Sequence, residues 1–187
     1  MNRLFKLAAL TLTVGVLHGT GLIAPQSGAA FAQDTESSVI FTRKHWEVRV
    51  VEFGDGTLAC VAEVDHRGGS FLIWVAPGSD ARLQFYSDDW QFDNETADIQ
   101  LQIDRRGVWD LTNAELDQNS VFFTMNDDDT SVRFLREVMR GNILKLSSSS
   151  GREITRYSLA GSSASILALV DCNDALADLD GDDNPFN

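Results

Sequence analysis

The sequence predicts an α+β fold that is predominantly antiparallel β, a sandwich or a partly open barrel, with two helices packed on it or capping it. Three observations favour this class. Roughly nine short segments are rich in β-branched and aromatic residues, turn-forming residues separate them, and two later segments change to helical periodicity. Because no interdomain linker or internal repeat is evident, we expect one domain over residues 33–177.

The first half of the domain is predicted to consist of strands joined by short turns. The segment 39–53 alternates apolar and charged residues, which is typical of a half-buried strand. In the next strand four alternate residues share one face: Leu58, Cys60, Ala62 and Val64. This alternation directs Cys60 into the core. Short strands follow at 71–75 and 83–85, each bounded by Gly, Pro or Asp turn residues.

The second half combines further strands with two helices. Strands are predicted at 99–103, 108–111, 121–125, 143–146 and 154–159. The first helix is expected to begin near Thr130 or Ser131, the candidate N-caps, and to end at Gly141. The second is expected to begin near Ser162 or Ser163.

Residues 1–32 have the order of a secretory signal peptide. Arg3 and Lys6 precede an apolar run at 7–17, and Ala30-Phe31-Ala32 is a small-x-small cleavage site. The apolar run is shorter than the about 20 residues that span a bilayer, although an uncleaved anchor is the alternative. We therefore expect cleavage near Ala32, no transmembrane segment, and a periplasmic or secreted protein.

Export gives meaning to the two cysteines, because disulfides persist in oxidising compartments. Neither cysteine belongs to a C-x-x-C pair, and two cysteines allow one intramolecular bridge. Helical spacing places Cys172 on the face of Leu169 and Leu176, while Cys60 points inward from its strand. A structural disulfide between Cys60 and Cys172 is therefore predicted where a helix packs on the sheet.

The charge of the chain excludes some partners. It carries 28 acidic and 15 basic side chains, a formal net charge of −13. Removal of residues 1–32 takes away Arg3 and Lys6, so 28 acidic and 13 basic side chains remain and the charge becomes −15. Such acidity repels a phosphate backbone, so nucleic acid is not expected to bind. No phosphate loop or zinc spacing is present, so neither a cofactor nor a metal is predicted.

The last residues, 178–187, are predicted to be an acidic disordered tail, because they are charged and short of apolar groups. Asp178, Asp180 and Asp182 alternate as in the start of an EF-hand calcium loop. The sixth position of such a loop requires Gly, and here it is Asp183. The loop also requires a Glu at its twelfth position, which the sequence does not supply, so a solvated tail is favoured over a calcium site.

The segment Tyr157-Ser-Leu-Ala-Gly161-Ser-Ser-Ala164, followed by an apolar helix ending in Asp171-Cys172, resembles a recurrent ending of small exported proteobacterial proteins. It is distantly similar to the invasion-associated locus B family of envelope proteins. In these proteins the helix ends in a Cys that faces a Cys of an early strand, a place that Cys60 fits. The resemblance implies an exported, disulfide-tied protein with a binding or envelope-maintenance role, and it brings no catalytic residues.

Two groups of residues are candidate binding sites. Arg133, Arg136 and Arg140 lie at i, i+3 and i+7 of the first helix and are suited to an anionic lipid headgroup or an acidic partner. The alternative is the solvated face of an amphipathic helix, with an ion pair between Arg133 and Glu137. Trp90 and Phe92 could stack on a sugar or a peptide, or could close the core, as aromatic residues at strand ends usually do.

Catalysis is not predicted. A serine nucleophile needs an oriented base, and residues 33–187 contain only His45 and His66 and no Gly-x-Ser-x-Gly elbow. Pairs of carboxylates are uninformative in so acidic a chain. The sequence therefore predicts an exported non-enzymatic domain that binds a protein or a cell-envelope component. The alternative is a cell-wall-directed hydrolase or an enzyme inhibitor.

Overall fold

The computed structural model describes residues 35–126 and 128–180; for Asp128 and Asp180 the backbone alone is considered. The predicted signal peptide, residues 1–32, lies outside this part. The elements are β1 (Glu36–Arg43), β2 (Trp46–Glu52), β3 (Leu58–His66), β4 (Gly69–Val75), β5 (Ala81–Ser87), β6 (Phe92–Ile103), β7 (Val108–Gln118), β8 (Ser120–Met125), α1 (Asp128–Met139), β9 (Ile143–Ser148), β10 (Glu153–Ser158) and α2 (Ser162–Asp180).

All ten strands belong to one antiparallel sheet, in the order β1-β2-β3-β4-β5-β8-β7-β6-β9-β10. The sheet curls, because β10 also contacts β3 and the Tyr157 ring of β10 packs against Phe71 and Phe85. It is not closed into a barrel, and β1 and β10 are its two edges. The predicted α+β class with mostly antiparallel strands is therefore confirmed.

The sequence prediction was wrong about where some strands begin and end. The segment 39–53 is not one strand, because Lys44 and His45 turn the chain between β1 and β2. Lys44 adopts a φ of 58°, a conformation for which Gly or Asn is the usual signal. β6 begins at Phe92 and β7 continues to Gln118, so both strands are longer than predicted. Their additional residues are mostly exposed and polar, and the apolar pattern therefore did not reveal them.

The core lies on the inner side of the curled sheet, and both helices contribute to it. Phe71 and Phe85 stack with ring centroids 5.0 Å apart, and Trp46 meets the edge of Phe71. α2 packs against β1, β2 and β3 and also contacts α1. The Cys60–Cys172 disulfide joins β3 to α2 with a Cα–Cα distance of 6.2 Å, which confirms the predicted bridge.

The helix ends differ in part from their predictions. α1 begins at Asp128, before the two predicted N-caps, and the Ser131 hydroxyl donates to the Met125 carbonyl instead. Gly141 follows the helix. A residue with a side chain would not fit at this position, because its Cβ would lie 2.5 Å from Ile103 Cγ2. α2 begins at Ser162, as predicted. The Ser162 hydroxyl donates a hydrogen bond to the Val138 carbonyl.

The second helix extends further than expected. It continues to Asp180, so the first residues of the predicted disordered tail, 178–180, are helical. Residues 181–187 lie outside the described part, and disorder there stays a prediction. Neither described helix has the length and apolar character needed to cross a bilayer.

Candidate functional site

A cavity of about 730 Å³ opens where α1 lies against β7 and β8. We call it the α1 groove, and its main side chains are Trp109, Asp110, Phe123, Asn126, Arg133 and Glu137. Apolar rings, an amide and charged groups of both signs therefore face the same space. Cavities of this size and mixed lining accommodate small ligands or short peptide segments.

The Trp109 indole is held in place by α1. The ring of Phe134 meets it edge-on at 5.4 Å between centroids, with an interplanar angle of 88°. The indole Nε1–H donates to Glu137 Oε2 at 3.2 Å. The guanidinium carbon of Arg133 lies 4.4 Å from the ring centroid, which is a cation–π distance. The groove thus contains an aromatic ring with a fixed orientation and a cation stacked on it.

Arg133 does not form the predicted ion pair with Glu137. The ion pairs among the described side chains are Arg49–Glu63, Arg82–Glu115 and Arg156–Glu153. Arg133 is exposed, and its N–H donors are not committed to a described carboxylate. A guanidinium with free donors is suited to bind a carboxylate or phosphate through paired hydrogen bonds.

The other two arginines of the predicted stripe do not line the groove. Arg136 is exposed on α1, and Arg140 is exposed in the turn that directly follows the helix, so the predicted stripe of three arginines does not lie wholly on the helix. Of the three arginines, Arg133 alone lines the α1 groove. Sequence reasoning missed Trp109, because its role depends on a helix that follows it by about 20 residues and packs back onto its strand.

The turn between β6 and β7 fixes the position of α1 over the sheet. Arg106 donates from Nη1 to the Glu137 carbonyl at 2.7 Å and from Nη2 to the Arg140 carbonyl at 2.9 Å. These carbonyls lie at the C-terminal end of the helix, where backbone acceptors have no partner within the helix. Arg106 therefore supplies the missing donors and a positive charge at the negative end of the helix dipole.

Asp104 in the same turn connects to the start of β9. Its carboxylate accepts the backbone N–H of Asn142 at 3.1 Å and that of Ile143 at 3.0 Å. Burial acts to raise the pKa of Asp104, but these N–H donors and the nearby charge of Arg106 outweigh it and leave that pKa below its ordinary value. The carboxylate is thus kept charged, and it ties the turn to the segment that follows α1.

Replacing Arg106 with alanine is expected to lower the free energy of unfolding by about 1–2 kcal/mol, because two hydrogen bonds to helix carbonyls are lost. Arg105→Ala is the matched control, since Arg105 is the exposed neighbour and makes neither bond. Urea unfolding of both variants measures the difference. Equal stability of the two variants would mean that Arg106 does not anchor the helix.

Trp90 and Phe92 lie together, with ring centroids 5.7 Å apart. The half-buried Trp90 lines a second cavity of about 420 Å³, whose wall includes His66 and Arg67, while Phe92 packs against the core. The backbone carbonyl of Trp90 accepts a hydrogen bond from the side-chain amide of Asn119, which fixes the loop. The pair is therefore separate from the α1 groove and serves at least in part to close the core.

The described side chains form neither a Ser-His pair nor a metal-binding cluster. Within residues 35–126 and 128–180, no hydrogen bond joins a histidine to a serine. In that part of the chain no group of three or more His, Cys, Asp or Glu side chains is placed to hold a metal ion. Comparisons with models of known protein families, with curated proteins and with solved structures found no match.

Proposed function

We propose that this chain is an exported, non-enzymatic binding domain that holds a carboxylate-bearing peptide segment in the α1 groove. The segment belongs to an envelope protein or to the peptide part of the cell wall. The observation that carries the proposal is the Arg133 guanidinium, stacked 4.4 Å from the Trp109 ring and without a carboxylate partner among the described residues.

The chemistry of the groove fits such a ligand. Arg133 can pair with a carboxylate, and stacking on the indole restricts the side chain so that less freedom is lost on binding. The rings of Trp109 and Phe123 offer apolar surface to the rest of the segment, and Asn126 offers an amide for its backbone. Because the chain is strongly acidic and Asp110 and Glu137 also line the groove, an anionic group in the groove is attracted only within short range of the Arg133 guanidinium, which has no ion-pair partner among the described residues.

The exported location and the family relationship are part of the same proposal. The Cys60–Cys172 disulfide closes a loop of more than a hundred residues. Structural disulfides are typical of proteins that leave the cytoplasm. The helix that begins after Gly161 carries Cys172 on its buried side, which supports the similarity to exported envelope proteins, although the helix continues past Cys172 to Asp180. For a protein of the cell envelope that has no catalytic residues, binding is the expected activity.

One observation favours a second candidate, a cell-wall-directed hydrolase. Asp110 and Glu137 both line the α1 groove, and glycoside hydrolysis uses two carboxylates on opposite sides of a bond. The carboxylate of Glu137 already accepts the Trp109 indole N–H, which supports a positioning role over acid catalysis. Turnover of isolated cell wall by the parent protein would establish the hydrolase.

Capture with matched variants tests the binding proposal. The parent and three variants, Arg133→Ala, Trp109→Ala and Arg136→Ala, are immobilised and exposed separately to solubilised envelope proteins and to soluble cell-wall peptides. Loss of charge-assisted hydrogen bonds is expected to reduce retention of one species about tenfold or more for Arg133→Ala. Trp109→Ala is expected to weaken it similarly, since the support of Arg133 is lost.

Arg136→Ala is the control, because Arg136 carries the same charge on the same helix outside the groove. It is expected to retain the ligand as the parent does. Retention by one source and not the other identifies whether the peptide is of protein or cell-wall origin. Equal retention by all four proteins, or none from either source, contradicts the proposal.

A further inference from the structure

One run of the sequence is basic, although the chain as a whole is acidic. Residues 130–170 contain six basic side chains and two acidic ones, whereas the whole chain has a formal net charge of −13. The run includes most of α1, all of β9 and β10 and the start of α2. At physiological salt, exposed charges more than about 8 Å apart are largely screened from each other. An anion close to this run therefore responds mainly to the local cations.

Part of the basic run lines a cavity of about 550 Å³ beside the turn between β6 and β7. We call this cavity the β9–β10 cleft. The turn and the two strands supply its charged side chains, which are Asp104, Arg105, Lys145, Glu153 and Arg156. Three cations and two carboxylates therefore face the same space.

Strand pairing holds two of these cations side by side. Lys145 of β9 lies directly opposite Arg156 of β10. Their neighbours in sequence, Leu144, Leu146 and Tyr157, are buried. The alternation of each strand therefore directs Lys145 and Arg156 to the other side of the sheet. Because like charges directly opposite each other destabilise a sheet, an anion between the two side chains offsets a repulsion that the fold otherwise retains.

The two carboxylates of the cleft accept hydrogen bonds from other donors. Glu153 Oε1 accepts from Arg156 Nε at 2.9 Å. The Asp104 carboxylate accepts the backbone N–H groups of Asn142 and Ile143 at 3.1 and 3.0 Å, and the side-chain amide of Asn142 at 3.4 Å. Neither carboxylate forms an ion pair with the other two cations of the cleft.

Those two cations, Arg105 and Lys145, have no ion-pair partner among the described residues. Arg105 is exposed and Lys145 is half-buried, so both can present donors to a ligand in the cleft. One guanidinium is sufficient to pair with a carboxylate. A phosphate monoester carries about two negative charges and three strong acceptor oxygens, so it can engage a guanidinium and an ammonium at the same time. The cleft therefore suits a phosphate monoester better than a carboxylate.

We infer that the β9–β10 cleft binds a phosphate monoester group between Arg105, Lys145 and Arg156. This goes beyond the proposed function and does not depend on the α1 groove. A soluble phosphate ester and the headgroup of phosphatidic acid present the same oxygens to these cations. Ile143, which is 42% exposed, also lines the cleft and offers apolar surface to the part of the ligand next to the phosphate.

Titration calorimetry and vesicle sedimentation test the site with both sources of the group. Glycerol 3-phosphate is the soluble probe, and phosphatidylcholine vesicles with and without phosphatidic acid are the lipid probe. The parent is expected to bind at least one of them, and to bind acetate about tenfold more weakly because acetate engages fewer of the donors. Binding of glycerol 3-phosphate identifies a soluble ligand, and binding that requires phosphatidic acid in the vesicle identifies a lipid.

Two variants remove the unpaired cations of the cleft. Arg105→Gln and Lys145→Gln are each expected to weaken binding about tenfold or more, because charge-assisted hydrogen bonds are lost. Lys145→Gln is expected to melt no lower than the parent, since it removes the repulsion from Arg156. Arg136→Gln is the matched control, because it removes the same charge from the same basic run outside the cleft. It is expected to bind as the parent does.

Salt gives a second measurement, since screening of the attraction is expected to weaken binding as ionic strength rises. A parent that binds neither probe overturns the inference, and so does a parent that binds acetate as tightly as the phosphate probe. Binding that both cleft variants retain also overturns it. An equal loss in Arg136→Gln would mean that the anion responds to the charge of the whole run and that the cleft is not a site.

Discussion

Replacement of Cys60 and Cys172 together by alanine is expected to lower the free energy of unfolding by about 4–5 kcal/mol. The bridge joins residues separated by 112 positions, and the chain-entropy account assigns a loop of that length this much stabilisation of the folded state. For a domain of this size the melting temperature is expected to fall by roughly 10–20 °C. Differential scanning calorimetry of the parent and the double variant measures the change.

Reduction of the parent with dithiothreitol provides the control for this effect. The reduced parent is expected to melt near the temperature of the double variant, and the variant itself is expected not to respond to the reductant. Because Cys60 is fully buried and Cys172 nearly so, the alanine variants also leave small cavities. A double variant that melts within a few degrees of the oxidised parent would show that the contact between α2 and the sheet holds without the bridge.

The second large effect is expected for Gly161→Ala, at about 2–4 kcal/mol of lost stability. Gly161 adopts a φ of 107°, which an alanine side chain disfavours. A Cβ at this position would also lie 2.6 Å from the carbonyl oxygen of Arg43, a backbone atom at the end of β1 that cannot move aside cheaply. Chemical denaturation at constant temperature measures the loss.

Gly56→Ala separates the two causes. Gly56 has a φ of 84°, but a Cβ there meets no atom within 4 Å. Its substitution is expected to cost about 1 kcal/mol, the conformational part alone. A Gly161 variant no less stable than the Gly56 variant would indicate that β1 and the start of α2 do not need to approach so closely.

Local patterns in the sequence were sufficient for much of the fold. The alternation that places Cys60 inward and the helical spacing that places Cys172 inward both concern neighbouring residues, and the expectation of export was the reason to predict a bridge between them. The hairpin at Lys44 was missed because a left-handed lysine carries no turn signal of its own. The exposed half of β6 was missed because polar residues there leave no apolar period to detect.

The candidate site was predictable only in part. Spacing along α1 identified Arg133, but spacing within one helix suggests partners at i+3 or i+4, and Glu137 was the natural choice. The actual neighbour, Trp109, is brought to Arg133 by the docking of α1, which depends on Arg106 and the turn that contains it.

The most direct test of the α1 groove is the indole N–H signal of Trp109 in heteronuclear NMR spectra. The chain has four tryptophans, so four indole signals report on separate places, with Trp109 in the groove, Trp90 beside the second cavity and Trp74 in a third cavity that Phe53 and Phe122 also line. The probe is the peptide species retained in the capture experiment. We expect a saturable shift of the Trp109 signal that Arg133→Ala abolishes. A shift confined to Trp90 or Trp74, with Trp109 unchanged at saturation, would contradict binding in the α1 groove.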